Sequence, residues 1–183
     1  MPRRLALAAL AGALLLGSAA CSDGHGDARP AAASATSTTA DQLVRRGLDE
    51  LRAGSTDAAR ATFRSVLDAD PDNAYAHYNL GLIAQRSGDT AGAMTQYDAA
   101  LAAEPDFGSA LYNKGILTET TDLSAAVRLY REAVAAEPGL AAAHMRLGFA
   151  LLHQGSKADG EKELAAGVRL DPSMADVQAP SYG

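Results

Sequence analysis

AYAHYNLGLIAQRSGDTAGAMTQYDAALAAEP, residues 74–105, holds one full copy of a pattern that recurs along the chain. An apolar stretch surrounds Gly81, a Ser-Gly-Asp turn follows at Ser87–Asp89, and a second stretch carries Ala93 and Tyr97 before stopping at Glu104-Pro105. Working outward, acidic-Pro pairs recur at Asp70-Pro71, Glu104-Pro105, Glu137-Pro138 and Asp171-Pro172, spaced 34, 33 and 34 residues apart. Gly47, Gly81, Gly115 and Gly148 keep the same period, followed by Ala59, Ala93 and Ala126 and then by the bulky Phe63, Tyr97, Tyr130 and Leu164. A fixed period of this size marks a stacked-repeat architecture, in which each unit buries its apolar face only against its neighbours.

Composition agrees with helical repeats. The chain is 48% hydrophobic but only 5% aromatic and lacks Trp, so its core is built mainly from Ala, Leu and Val. Small side chains suit closely packed helices better than a sheet rich in β-branched and aromatic residues.

The Asn79-Leu80-Gly81 and Arg146-Leu147-Gly148 triplets, the alanine twelve places after Gly47 and Gly81, and the acidic-Pro stops resemble the tetratricopeptide-repeat (TPR) pattern. The resemblance covers residues 40 to about 174 and divides them into 40–73, 74–107, 108–140 and 141–174. It implies an all-α fold, a right-handed solenoid of four helix-turn-helix repeats. Helices are expected near 41–53 and 57–69, 74–87 and 90–103, 107–119 and 123–136, and 141–154 and 157–170. In the family, the glycine and the small residue after it meet where the two helices of a repeat cross, and the bulky residue fills the space beneath the next repeat. Proline ends the second helix because it forces the preceding residue out of the helical region. Gly54, Gly88 and Gly155 mark the turns, and Asp57, Asp89 and Ser156 can cap the second helices.

Two repeats depart from the pattern. The third is one residue short around Glu119–Asp122 and has no turn glycine, which predicts a tightened turn. The fourth carries Gly160 and Gly167 where alanine is usual, each lowering helix propensity by about 1 kcal/mol, so its second helix is expected to be the least stable. Residues 175–183 are too short, with Pro180, for a capping helix; they are expected to be a disordered tail that leaves the end of the array uncovered and open to self-association.

In TPR arrays the first helices face a concave surface that holds ligands. Its fifth and ninth places are here Val44, Tyr78, Tyr112 and Met145, and Leu48, Leu82, Ile116 and Phe149, with Tyr75 and Leu152 extending the stripe. Such a lining suits an extended or helical peptide with apolar anchors, and Asn79 and Asn113 could bond its backbone. The same side chains could instead be core, packed between neighbouring first helices. The subclass that clamps an acidic carboxyl-terminal peptide is not matched: Arg146 pairs with Asn113, but Tyr78, Leu82 and Ala142 stand where the other clamp residues belong.

The first 40 residues read as an address and a tether. Residues 1–20 run from Arg3-Arg4 through an uncharged apolar stretch to small residues, the layout of a signal peptide with a core too short to be an ordinary membrane span. Ser18-Ala19-Ala20-Cys21 resembles a bacterial lipobox, with Ser18 in place of the usual leucine. That resemblance implies lipidation of Cys21 and export to an extracytoplasmic membrane face. Residues 21–39 carry no Leu, Ile, Val or aromatic side chain and are expected to form a disordered tether. Its 18 residues after the cysteine span about 25 Å.

Several function classes are disfavoured. A formal net charge of −6 repels nucleic acid, and one cysteine permits neither an intrachain disulfide nor a cysteine-based metal centre. His25, His77, His144 and His153 lack metal-ligand spacing. There is no phosphate loop or nucleophile elbow, so neither enzymatic activity nor a cofactor is expected. The sequence reads as a membrane-tethered protein-binding scaffold. A pilotin-like assembly factor and an accessory subunit of a cell-envelope enzyme are the alternatives.

Overall fold

The structure, a computed structural model, describes residues 31–182, with side chains from residue 39 onward. The expected signal peptide, Cys21, His25 and the first part of the tether lie outside the described residues. Eight α-helices follow in order among those residues: α1 (Ala31–Arg52), α2 (Thr56–Ala69), α3 (Ala74–Arg86), α4 (Thr90–Ala103), α5 (Gly108–Thr118), α6 (Leu123–Ala136), α7 (Ala141–His153) and α8 (Lys157–Leu170). A single 3₁₀ turn, Pro172–Asp176, comes after α8. From α2 onward every helix begins and ends within one residue of the sequence expectation. The array is a helix-turn-helix solenoid, each helix packing on its neighbours in the chain.

The first helix departs. α1 begins at Ala31, so residues 31–39, expected to be tether, are helical. Alanine is the best helix former, and once α1 is nucleated by its packed end each further residue adds a hydrogen bond without repeating the nucleation cost.

Each periodic glycine makes room for the bulky residue of its own repeat. A methyl group on Gly47 would stand 2.7 Å from Phe63, one on Gly81 2.6 Å from Tyr97, and one on Gly148 2.7 Å from Leu164. The bulky side chain therefore lies over its own glycine, and Phe63 and Tyr130 also join clusters with the next repeat, Phe63 with Ala76 and Ile83 and Tyr130 with Leu147 and Leu151, as expected. Phe63, Tyr97 and Tyr130 are fully buried there. The third repeat keeps this contact despite its missing residue, with Tyr130 on Gly115.

Turn chemistry follows the residues present. Gly54, Gly88 and Gly155 take φ of 77°, 80° and 82°, ending α1, α3 and α7 in a conformation that costs glycine little. The third repeat has no such glycine and closes by a tighter route, with Thr118 O accepting from Thr121 N at 3.0 Å and Asp122 N at 2.8 Å. Asp89 and Asp122 cap α4 and α6 through Gly92 N and Ala125 N. The start of α5 has no local side-chain cap; Glu137, from the turn after α6, accepts from Ser109 N at 2.9 Å and Ser109 Oγ at 3.1 Å instead. His77 and His144 hold equivalent places, each with Nε2 against the carbonyl of the preceding turn proline, Pro71 or Pro138.

The fourth repeat is not loosened by its glycines. A methyl on Gly160 would meet Leu152 Cγ at 2.7 Å and the Gly148 carbonyl at 2.9 Å, so the missing side chain is what lets α7 and α8 approach. The outer side of α8 exposes Lys157, Asp159, Glu161, Lys162 and Arg169, the polar surface that a terminal repeat requires.

Candidate functional site

The first helices α3, α5 and α7 share one face, and the half-buried Tyr78, Tyr112 and Phe149 lie along it. Each ring is held by the layer beneath. Tyr78 packs against Phe107, with centroids 4.8 Å apart, and against Tyr97 at 6.1 Å, while Tyr112 packs against Tyr130 at 6.1 Å. Burial raises the pKa of Tyr78 and Tyr112, in keeping with phenols partly sunk into the face.

Between α5 and α7 a charged group is neutralised within the array. Glu119 accepts from Arg146 Nη1 at 2.5 Å on one oxygen and from Tyr130 Oη at 2.6 Å on the other. Burial, and then the Glu119 carboxylate, push the Tyr130 phenol strongly up. Arg146 therefore contributes little free positive charge to the face.

An open cavity of about 230 Å³ lies beside this pair, walled by Tyr112, Met145, Arg146 and Phe149. Ala142 of α7 also lines it, and the rest of the wall comes from beyond α8: Met174, Val177, Gln178 and Pro180. Tyr182 then packs against the α6–α7 core cluster, its ring 4.8 Å from that of His153. Residues 175–182, expected to be a disordered tail, thus have a defined seat on the array. The half-buried Met174, Pro180 and Tyr182 supply the burial that helix propensity could not foretell.

Tetratricopeptide-repeat profiles match residues 44–106 and 82–119, and, from a second profile, residues 117–179. The chain belongs to the tetratricopeptide-repeat family. No curated protein matches it. Among solved structures, PilF of Pseudomonas aeruginosa is 25% identical with a TM-score of 0.67 over 75% of this chain; the chain spans 64% of that protein's length. MamA of Desulfovibrio magneticus is 21% identical, with a TM-score of 0.58 over 75% of this chain and 78% of that one. YrrB, described as a TPR protein with an unusual peptide-binding site, is 19% identical, with a TM-score of 0.62 over 78% of this chain and 77% of that one. The last two likenesses bear on the fold alone.

In the TPR family the face of α3, α5 and α7 would be the concave one, and the residues expected on it separate into groups. Tyr78, Tyr112 and Phe149 lie on it, Tyr75 stands 55% exposed at its edge beside Phe107, and Leu82 is half-buried. Ile116 is half-buried against the α6–α7 cluster, and Val44 and Leu48 pack on the core formed by α1, α2 and α3. Leu152 is corrected: its side chain lies against Gly160 of α8. Met145 is buried, its sulfur against Gly167, and touches the cavity from below. Asn79 is also corrected: it is buried, and Nδ2 donates to the Tyr75 carbonyl at 2.7 Å, which takes it out of ligand contact. Asn113 donates to the Ser109 carbonyl at 2.8 Å and to Tyr78 Oη at 3.3 Å.

Sequence reasoning missed Glu119 and Tyr182. Glu119 was legible only as part of a shortened turn. The apolar residues of 174–182 were a usable signal, once an extended strap was weighed beside a helix. Among the described residues no three His, Cys, Asp or Glu side chains converge to hold a metal ion.

Proposed function

We propose that the chain is a membrane-tethered TPR adaptor that holds an extended peptide segment of a protein partner on the α3–α5–α7 face. The observation that carries the reading is the cavity walled by Tyr112, Met145 and Phe149, beside an arginine already neutralised by Glu119. Such a surface selects apolar and aromatic side chains over an acidic peptide. The TPR family supports a protein-binding role. The anchor rests on the sequence of residues 1–21, with Cys21 as the lipidated residue.

The test is site-specific photocrosslinking in intact cells. A benzoyl-phenylalanine at Phe149 should yield a discrete adduct that the same group at Arg128, exposed on α6, does not. Equal adducts from both positions would refute the groove.

A further inference from the structure

Pro172–Asp176 turns the chain at the end of α8, and Val177 then takes extended backbone, φ −68° and ψ 125°. α7 has 13 residues and is about 18 Å long at 1.5 Å per residue. The five steps from Val177 to Tyr182 span about 17 Å in extended form. The segment therefore matches the stretch of α7 it lies on, from Ala142 at the cavity to the ring of His153, about 17 Å along the helix.

Its chemistry matches that seat as well. Residues 177–182 carry no charge, and Arg146 beneath them is already paired with Glu119. Proline is at home in extended chain and leaves no N–H unsatisfied. The fit has one flaw. Tyr182 Oη is buried without a hydrogen-bond partner, the one such side-chain atom among the described residues. Burying a hydroxyl unpaired weakens the docked state relative to the same ring without it. Val177, 48% exposed, adds only a partial anchor. A segment shaped for the groove but imperfectly satisfied there can be displaced.

We propose that residues 177–182 are an internal occupant of the peptide groove, displaced by a partner peptide that is extended and uncharged. That peptide carries an aliphatic residue, a proline three places on and a phenyl ring two places further. This rests on the groove reading above and adds the partner's chemistry to it. While the segment is docked it covers the α7 side of the groove and leaves only the open cavity between itself and Tyr112, so a partner peptide of the same length is excluded and its apparent affinity is multiplied by the undocked fraction.

The probe is a fluorescein-labelled peptide of sequence MADVQAPSYG, residues 174–183, and a second copy with Phe in place of its Tyr. Binding to the full chain is read by fluorescence anisotropy, with circular dichroism checking that each variant keeps its helices. Tyr182→Ala should bind the probe at least about tenfold more tightly than the parent, since the competitor is weakened. The Phe peptide should bind several-fold more tightly than the Tyr peptide. Tyr182→Phe, which keeps the ring's packing, should do the opposite of Tyr182→Ala and bind both probes more weakly than the parent. A helical Tyr182→Ala chain that binds no better than the parent overturns the proposal. So does a sedimenting dimer that Tyr182→Ala dissolves, because the occupant would then come from a second copy. If no variant binds either peptide while crosslinking from Phe149 still captures a partner, the groove stands and only this inference fails. Loss of both removes the groove reading itself.

Discussion

Gly160→Ala should destabilise the array, although helix propensity alone predicts the reverse. Alanine in place of an interior helical glycine gains about 1 kcal/mol. At Gly160 the new methyl would stand 2.7 Å from Leu152 Cγ and 2.9 Å from the Gly148 carbonyl oxygen. Leu152 can change rotamer, but the carbonyl belongs to the α7 backbone, so relief requires α7 and α8 to separate. Overpacking of this kind costs about 1–3 kcal/mol, leaving a net change between about zero and a loss of 2 kcal/mol. Gly167→Ala is the internal control. Its methyl would meet Met145 Sδ at 2.7 Å and Cγ at 2.8 Å, with the Ala141 carbonyl at a more tolerable 3.2 Å. A methionine end swings aside readily, so most of the propensity gain should survive. Urea unfolding followed at 222 nm should place Gly160→Ala below Gly167→Ala by about 1–3 kcal/mol, a midpoint difference of the order of 1 M. Because terminal repeats can open before the rest, amide exchange in α7 and α8 should be read alongside. If Gly160→Ala unfolds at a higher urea concentration than both the parent and Gly167→Ala, the close α7–α8 approach is not what the glycine serves.

Burial first, then the Glu119 carboxylate, push the Tyr182 phenol up to about 12 when the segment is docked. A free tyrosine ionises near pH 10, so between about pH 10 and 12 the undocked segment loses its proton first and docking weakens about tenfold per unit; it is intact below that window. The difference in phenolate absorbance between the parent and Tyr182→Phe isolates this group, and an inflection at the ordinary tyrosine value would refute the seat. Glu137→Ala should cost about 1 kcal/mol by uncapping α5 at Ser109, seen as a lowered thermal midpoint. An unchanged midpoint would mean that water serves Ser109 equally well. Cys21→Ala should move the protein from the membrane fraction to the soluble one, and retention on membranes would exclude the lipid anchor.

What the sequence disclosed and what it withheld divide along one physical line. Periodicity is legible when the same contact recurs within a fixed span of chain. Gly81 with Tyr97, or the stop at Glu104-Pro105, therefore exposes the repeat and its helix boundaries without any knowledge of tertiary structure. A contact made once, across a surface assembled from several repeats, leaves no period. Glu137 caps a helix start 28 residues before it, and Tyr182 settles on a cluster built from α6 and α7. Gly160 shows the limit from the other side. Read along one helix, it is a poor propensity choice; read across two, it is the space that a carbonyl occupies. Asn79 adds the same lesson for the site, since its place in the repeat pointed to a ligand while its amide was already bonded one turn back. Tyr78, Tyr112 and Phe149 sit at repeat positions, so the period alone singled them out. The proposed occupant of that face holds no such position, and no period could announce it.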